Sequence, residues 1–487
     1  MKEAVMVSFR LAFAALLVEA AVAPNLAHSQ PARATLYEGA RIITGDGGII
    51  ENGAFVVENN LIARVGRRGE VAAPAGAARV DLTGKTVMPA LVDLHGHLGF
   101  QNLAEGNMSK EMFTRENLID HLQRFAYNGV GAVVGVGDLI ARSDLKGGRT
   151  PWGDLPLRMR NETVPGAAQY KTAGPGMAWP GSGAQGNPSR MDVSYGVSTP
   201  DEARAAVRDY AAMKPMFIKI WVDDREGAKK TLTPALYGAI LDEAHKLNVP
   251  VAVHNVKLMD AKAMFLRGME GWLHVPVRAG DDIDNDIINI VKDRVAKNDR
   301  PVMWMTPSLI TAWMNTQGGL QRPSWLEDPL LTSTYSRSDI ERFWGVPLRE
   351  MTPAQVVRAK AVFAEDAHNA VLLRAAGMKI VGGTDTGQSR HLMGFFNHMD
   401  LESQVAMGMT PMEAIIGATR DGAAIGKFNS GMVAAGRQAD FIVLDANPID
   451  YIGNTRRINK VYLRGTEVPR GEFARRWQTK FKTAAAR

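Results

Sequence analysis

The 487-residue chain contains no cysteine. Disulfides and thiolate ligands are therefore excluded, and any bound metal must be held by nitrogen and oxygen donors. No segment carries the roughly 20 uninterrupted apolar residues of a membrane-spanning helix. A basic surface is also missing from most of the chain. The net charge is +6, but Arg470, Arg475, Arg476, Lys480, Lys482 and Arg487 face only Glu472 within the last segment, which holds nearly all of that excess. The near-neutral body excludes nucleic acid as the main partner. Histidine is scarce as well, at ten residues, so its placement carries information.

Two of the ten fall in LVDLHGHLGF, residues 91–100. In an extended strand, residues i and i+2 leave the same face. His95 and His97 would emerge together, with Gly96 leaving room beside them, either as a hydrogen-bonded structural pair or as the start of a metal site.

The N-terminus places Lys2 and Arg10 before a short apolar stretch, and Ala27-His28-Ser29 has the small-x-small form of a cleavage site. A signal peptide over residues 1–29 is expected, with export to a periplasm or beyond, although Glu19 interrupts the apolar stretch. At the other end, residues 469–487 read as a basic amphipathic helix with Phe473, Trp477 and Phe481 on one stripe. That stripe predicts docking on the chain's own body or on a sister subunit in a homo-oligomer, in preference to a membrane surface.

Residues 35–88 read as short strands between Gly and Asn turns, and the same texture returns over residues 430–468. Residues 89–429 instead alternate short apolar runs with helical periods. Four helix starts carry Thr-Pro: TPDE (199–202), TPAL (233–236), TPAQ (352–355) and TPME (410–413). Thr serves as N-cap and Pro as first helical residue, and three of the four complete a capping box. The strand candidates are ALVDLHGHL, GAVVGVGD, the segment near GAAQYKT, MFIKIWV, VPVAVHN, GWLHVPV, RPVMWMTPS and KIVGGTD. Eight parallel strands with intervening helices predict an α/β fold, a (β/α)8 TIM barrel. Two stretches exceed a minimal barrel: the Gly/Pro-rich loop 173–188 and the insertion 310–350, both after strands, where barrel enzymes build their sites. The loop lacks the Lys-Ser/Thr ending of a phosphate cradle.

Other strand ends carry Lys219, His254, His274 and Asp385. A charged lysine inside FIKIWV is costly to bury. It could face solvent from an edge strand, join a buried ion pair, or be carboxylated into an anionic oxygen ligand. His254 or His274 alone could be an ordinary structural histidine. Together with His95, His97, Lys219 and Asp385 they fall on one rim of one barrel, which points to a shared site. His121, His245 and His368 lie in helical patterns without that coherence and read as surface or packing residues.

This constellation resembles the amidohydrolase superfamily: His-x-His on the first strand, Lys on the fourth, His on the fifth and sixth, Asp on the eighth. The flanks GKTVMPALVDLHGH, AMGMTPMEAIIGAT and GMVAAGRQADFIVLDANP are similar too. Within the superfamily the chain looks most like the imidazolonepropionase-like branch, with its Xaa-Pro dipeptidases and ochratoxin-cleaving amidases. The resemblance spans residues 35–468 and implies that the two strand-rich ends join in a small β-sandwich. It implies two divalent metal ions, one held by His95, His97 and Asp385, the other by His254 and His274, with carboxylated Lys219 between them. Imidazole and carboxylate donors suit zinc first, with iron, manganese or cobalt also compatible. A water shared by two such cations would have its pKa lowered toward ~7 and attack as hydroxide. Asp385 is placed to move the proton to the leaving nitrogen, and Asp93 to orient an imidazole or to make a strand-end hydrogen bond.

The expected activity is hydrolysis of a C–N amide bond in a small molecule: an N-acyl amino acid, a dipeptide or an ochratoxin-like amide. Esters, lactones, carbamates or phosphotriesters are alternatives for the same centre. A mononuclear deaminase would need the His-x-x-Glu that VHNVKL does not supply, and a metal-free scaffold would not need six ligands. Tyr170, Arg390 and His391 are candidate substrate contacts. Trp304, Trp313, Trp325 and Trp344 suggest either a bulky substrate or core packing.

Overall fold

The protein is described here by a computed structural model over residues 34–103, 107–138, 140, 154–183, 193–278, 280–298, 302–319, 322–387 and 390–485. The expected signal peptide, residues 1–29, lies outside the described residues, as does the end of the Gly/Pro-rich loop. The chain opens with β1 (Thr35–Ile43), β2 (Ile49–Glu58), β3 (Leu61–Arg67), β4 (Ala78–Asp81) and β5 (Thr86–Pro89). Asn59 and Asn60, both at positive φ, make the tight turn from β2 to β3. Asparagine tolerates that left-handed backbone, which matches the twist of a two-residue hairpin.

Parallel strands follow: β6 (Leu91–Gly96), β7 (Val130–Gly135), β8 (Gln169–Thr172), β9 (Met177–Ala178), β10 (Tyr195–Gly196), β11 (Ile218–Val222), β12 (Val251–Asn255), β13 (Gly271–Leu273), β14 (Trp304–Thr306) and β15 (Lys379–Ile380). All eight segments expected as strands contain one, but their ladder does not close. One sheet runs β8-β7-β6, and a second runs β10-β9-β11-β12-β13-β14-β15.

Both gaps have local causes. β15 is two residues long, and the chain then passes through Gly382 and Gly383 to Asp385 at φ +53. Beyond it the contact with β6 is kept by separate bonds: Leu94 N to Gly382 O at 3.0 Å, Asp385 N to His95 O at 2.7 Å and His97 N to Thr386 O at 2.6 Å. At the other gap, the edge of β11 is taken by Met177 of β9, a strand inside the segment expected to be loop. β8 reaches that side through Met216 N to Thr172 O at 3.0 Å. The interior is still filled. Val92, Leu94, Ala132, Val134, Ala252, Leu273 and Trp304 pack as one buried cluster drawn from successive strands.

Helices cover the strands, and the Thr-Pro starts behave as their chemistry dictates. Thr199, Thr352 and Thr410 each form a complete capping box, whereas Thr233 makes no side-chain cap. The chain ends with β16 (Phe441–Leu444), β17 (Ile458–Leu463) and β18 (Thr466–Glu467). β16 pairs antiparallel with β5, so both chain ends build one eight-stranded sheet. The final helix, Arg470–Ala485, buries Trp477 against the helix Arg115–Tyr127. Trp477 Nε1 donates to Asp120 at 2.8 Å, and the Arg124 guanidinium lies 4.5 Å from the indole centre. No helix among the described residues is long and apolar enough to cross a membrane.

Candidate metal centre

β6 ends in His95 and Gly96, and His97 is the next residue. Backbone bonds to residues 382–386 bring Asp385 against both imidazoles. Asp385 Oδ1 lies 2.9 Å from His97 Nε2 and 3.4 Å from His95 Nε2, and its other oxygen is 4.0 Å from His274 Nε2. Ligand atoms of His95, His97 and Asp385 all lie within 4.8 Å of one another. The His95 and His274 rings are 4.9 Å apart, and so are those of His274 and His254.

Protonation suits a cation. Burial drives the His95 and His274 imidazoles far below their ordinary pKa, so they are neutral donors. Burial would raise the Asp385 carboxyl, but the imidazoles of His95, His97 and His274 hold it well below the usual range. The cluster thus sets one carboxylate beside the neutral His95 and His274 rings. Asp385 and His274 also sit at φ +53 and +106. Such backbone costs on the order of 1–3 kcal/mol per residue and collects at functional positions.

The expected second half is organised differently. Burial lowers His254 to about 4, against the pull of Asp223, whose Oδ2 is 2.9 Å from its Nε2. Asp223 itself is down at about 2: its burial is outweighed by His254 and by Arg225, which reaches it through both backbone and guanidinium. Lys219 is 1% exposed, with Nζ 5.3 Å from the Trp221 ring centre, and its charge acts on both His95 and His254. Asp223 was not among the sequence candidates. Its position directly after the strand bearing Lys219 is the signal that could have found it.

Asp93 serves the backbone, not an imidazole. Its carboxylate accepts from His95 N, Thr384 N, Thr384 Oγ1 and Asn397 Nδ2. Tyr170 is buried and spends its hydroxyl on Asp138 Oδ2 at 2.7 Å. The Asp138 carboxyl is pushed up to about 7 by burial, against hydrogen bonds from Thr172 and Tyr170. His391 Nδ1 meets the Asp385 carbonyl at 2.5 Å, and Arg390 stacks on Trp344, 4.4 Å from its ring centre. Trp304, Trp325 and Trp344 are buried, so packing accounts for them and they are no sign of a bulky substrate. Among the remaining histidines, His121 is fully buried and bonded to Gly99 N and Gln101 O, a packing role. His245 lies 3.0 Å from Glu270, and His368 is exposed.

The family model named Amidohydrolase family matches residues 336–468. A dihydroorotase of Trichlorobacter lovleyi is 41% identical over 63 residues, 13% of this chain. The chain spans about a seventh of that relative's length, 14%. Solved structures match far more of it. A Xaa-Pro dipeptidase with bound methionine superposes with TM-score 0.64 at 20% identity, covering 89% of this chain and 99% of that one. A putative prolidase from Bifidobacterium longum gives 0.66 at 23%, over 93% and 99%. The A. niger ochratoxinase gives 0.63 at 17%, over 90% and 95%. At such identities the likeness establishes the fold alone: an α/β architecture matching these structures, with its barrel ladder open here and a sheet built from both chain ends beside it. Residues 336–468 thus match the amidohydrolase family model, and the chain as a whole is similar in fold to these structures.

Proposed function

We propose that the protein is a divalent-metal-dependent hydrolase cleaving a C–N amide bond in a small molecule such as an N-acyl amino acid or a dipeptide. The convergence of His95, His97 and Asp385 within 4.8 Å, with ligand-ready protonation, carries this reading. The donor set fits a cation: two imidazoles and one carboxylate, with His274 at the edge and His254 beyond it. Divalent ions there, zinc first among them, would polarise a substrate carbonyl and make water acidic enough to attack at neutral pH.

The chain's own residues supply the rest. Asp385, held ionised, accepts the proton of the attacking water and returns it to the leaving nitrogen. Lys219 is buried where a charged ammonium is costly. Addition of carbon dioxide to its neutral amine would give a carbamate and release one proton, turning that cost into an anionic oxygen ligand available to the ions that His95, His97 and Asp385 and that His254 and His274 would hold. The hydrogen bonds that the Asp93 carboxylate accepts from His95 N and Thr384 Oγ1 keep the two segments in register, so the donors do not have to be gathered at each turnover. Two structural neighbours named for a dipeptidase and an ochratoxinase support an amide substrate. The N-terminal sequence supports export, with hydrolysis taking place in a periplasm or outside the cell.

The test is metal analysis with a substrate panel. Purified protein is stripped with a chelator, reloaded with Zn2+, and assayed on N-acyl amino acids, dipeptides, aryl esters, lactones, carbamates and phosphotriesters. Amide cleavage that disappears on stripping and returns on reloading is expected, as is loss of metal in Lys219→Ala. Full metal content and unchanged hydrolysis in Lys219→Ala would overturn the assignment, and a preference for esters or carbamates would move it to another bond class.

A further inference from the structure

An imidazole offers two nitrogens, and its neighbours decide which one keeps the proton. At His97 the choice falls one way. Its Nδ1 meets the Val136 carbonyl at 2.5 Å, a group that can only accept, so Nδ1 holds the proton and the lone pair sits on Nε2, which faces Asp385. His95 and His274 also turn Nε2 toward Asp385, at 3.4 and 4.0 Å. His254 is arranged the other way round. Its Nε2 lies 2.9 Å from the carboxylate of a different acid, Asp223. A carboxylate accepts and does not donate, so the proton of His254 belongs on Nε2 and the lone pair on Nδ1.

The local backbone is built to hold that bond. β11 and β12 pair in parallel with Trp221 opposite His254 and Val222 opposite Asn255, so Asp223 stands one step past the strand end beside the imidazole. Both of its oxygens are fixed from behind. Arg225 N donates to Oδ1 at 2.8 Å, and the Arg225 guanidinium lies 2.9 Å from Oδ2. The turn that brings Arg225 back onto Asp223 passes through positive φ at Arg225 (+53) and Glu226 (+57), a backbone that side-chain-bearing residues rarely adopt. Lys257, just after β12, pairs with Asp224 at 2.5 Å and ties the two loops together.

We infer that Asp223 is a positioning residue of the metal centre: it holds His254 in the tautomer that offers Nδ1 to a cation, the opposite nitrogen from the one His97 offers, and Arg225 keeps the carboxylate in place. The inference rests on the metal-dependent hydrolase reading above and adds Asp223 and Arg225 to the residues that assemble it. A carboxylate behind a ligating imidazole fixes both ring orientation and tautomer, and its loss weakens metal binding about 10- to 100-fold.

The experiment reads the tautomer directly. The full chain is labelled with ring-15N histidine and stripped of metal, and long-range 1H–15N correlation spectra report which nitrogen of each imidazole is protonated, with His254→Gln assigning the signals. His254 should carry its proton on Nε2 and His97 on Nδ1. Asp223→Ala should leave His254 a mixture of tautomers. In a Zn2+ titration it should bind the second ion about tenfold or more weakly while the first is unchanged. Asp223→Asn, whose amide oxygen can still accept from Nε2, should keep part of that affinity. The wild-type spectrum needs no variant and decides the matter should Asp223→Ala not fold. A His254 protonated on Nδ1 in the wild type, or a tautomer or second-ion affinity unchanged in Asp223→Ala, overturns the inference. Loss of the second ion in Asp223→Asn as complete as in Asp223→Ala would make Asp223 a ligand in its own right and overturns the positioning role. The expected tautomers and ion binding without hydrolysis of any amide support the inference and overturn the hydrolase reading. Metal-dependent amide hydrolysis with His254 protonated on Nδ1 does the reverse.

Discussion

Asp93 and Thr384 stand 291 positions apart in sequence, yet the Thr384 hydroxyl donates to the Asp93 carboxylate at 2.6 Å. That bond, with those from His95 N and Asn397, closes the line between β6 and the segment carrying Asp385 where the regular ladder has stopped. Replacing Asp93 with Ala leaves several buried donors unsatisfied, each costing about 1–3 kcal/mol. Asp93→Ala is expected to lower the denaturation midpoint sharply and to reduce bound metal, measured by chemical unfolding and elemental analysis. Full metal content in a stable Asp93→Ala protein would contradict this account.

Gly387 sits at φ +102, and a Cβ there would overlap the His97 carbonyl. Gly387→Ala should therefore displace His97 while touching no donor atom. The expected outcome is weaker metal retention during chelator titration, with far-UV circular dichroism unchanged.

The Asp138 carboxyl has its pKa raised to about 7, above the unfolded value of about 3.9. A raised carboxyl contributes stability that is fully present below the unfolded value and is lost as pH climbs through about 7. The wild type should lose stability between about pH 4 and pH 7, at a slope of up to roughly 1.4 kcal/mol per pH unit, and level off above. Asp138→Asn should flatten that slope, and parallel slopes in the two proteins would refute the assignment.

Trp477 is fully buried between the last helix and Arg115–Tyr127. Trp477→Ala should cost roughly 3–5 kcal/mol in denaturant unfolding, as large aromatic truncations do. Bound metal per folded chain should not change, because Trp477 packs on Tyr127, Phe473 and Arg124, none of which is a donor.

Thr352 caps the helix Pro353–Ala375, with Gln355 returning the bond. Thr352→Ala should cost about 1 kcal/mol. A null effect on thermal unfolding would show that this capping box adds little.

Residue types at strand ends made much of the centre legible. His95, His97 and Asp385 converge because a period of two and a parallel crossover bring such positions together. Tyr170 shows where the reading stops. It lies at a strand end, but strand parity turns it into the interior, toward an Asp138 that nothing in the local sequence marks. Asp93 shares the face of His95, yet its oxygens reach backbone groups that only the folded chain brings near. Open ladder edges are equally invisible, since they depend on whether Met177 or Thr172 takes the side of β11.

Because β5 is registered against β16, with Met88 opposite Ile442 and Ala90 N bonded to Asp440 O, the strand leading into His95 is anchored by residues made long after it. On a ribosome, the first imidazoles emerge hundreds of residues before their clamp exists. Pairing along that edge thus waits for residues 440–444, and nascent chains cut before residue 440 would leave the strand ahead of His95 without this partner.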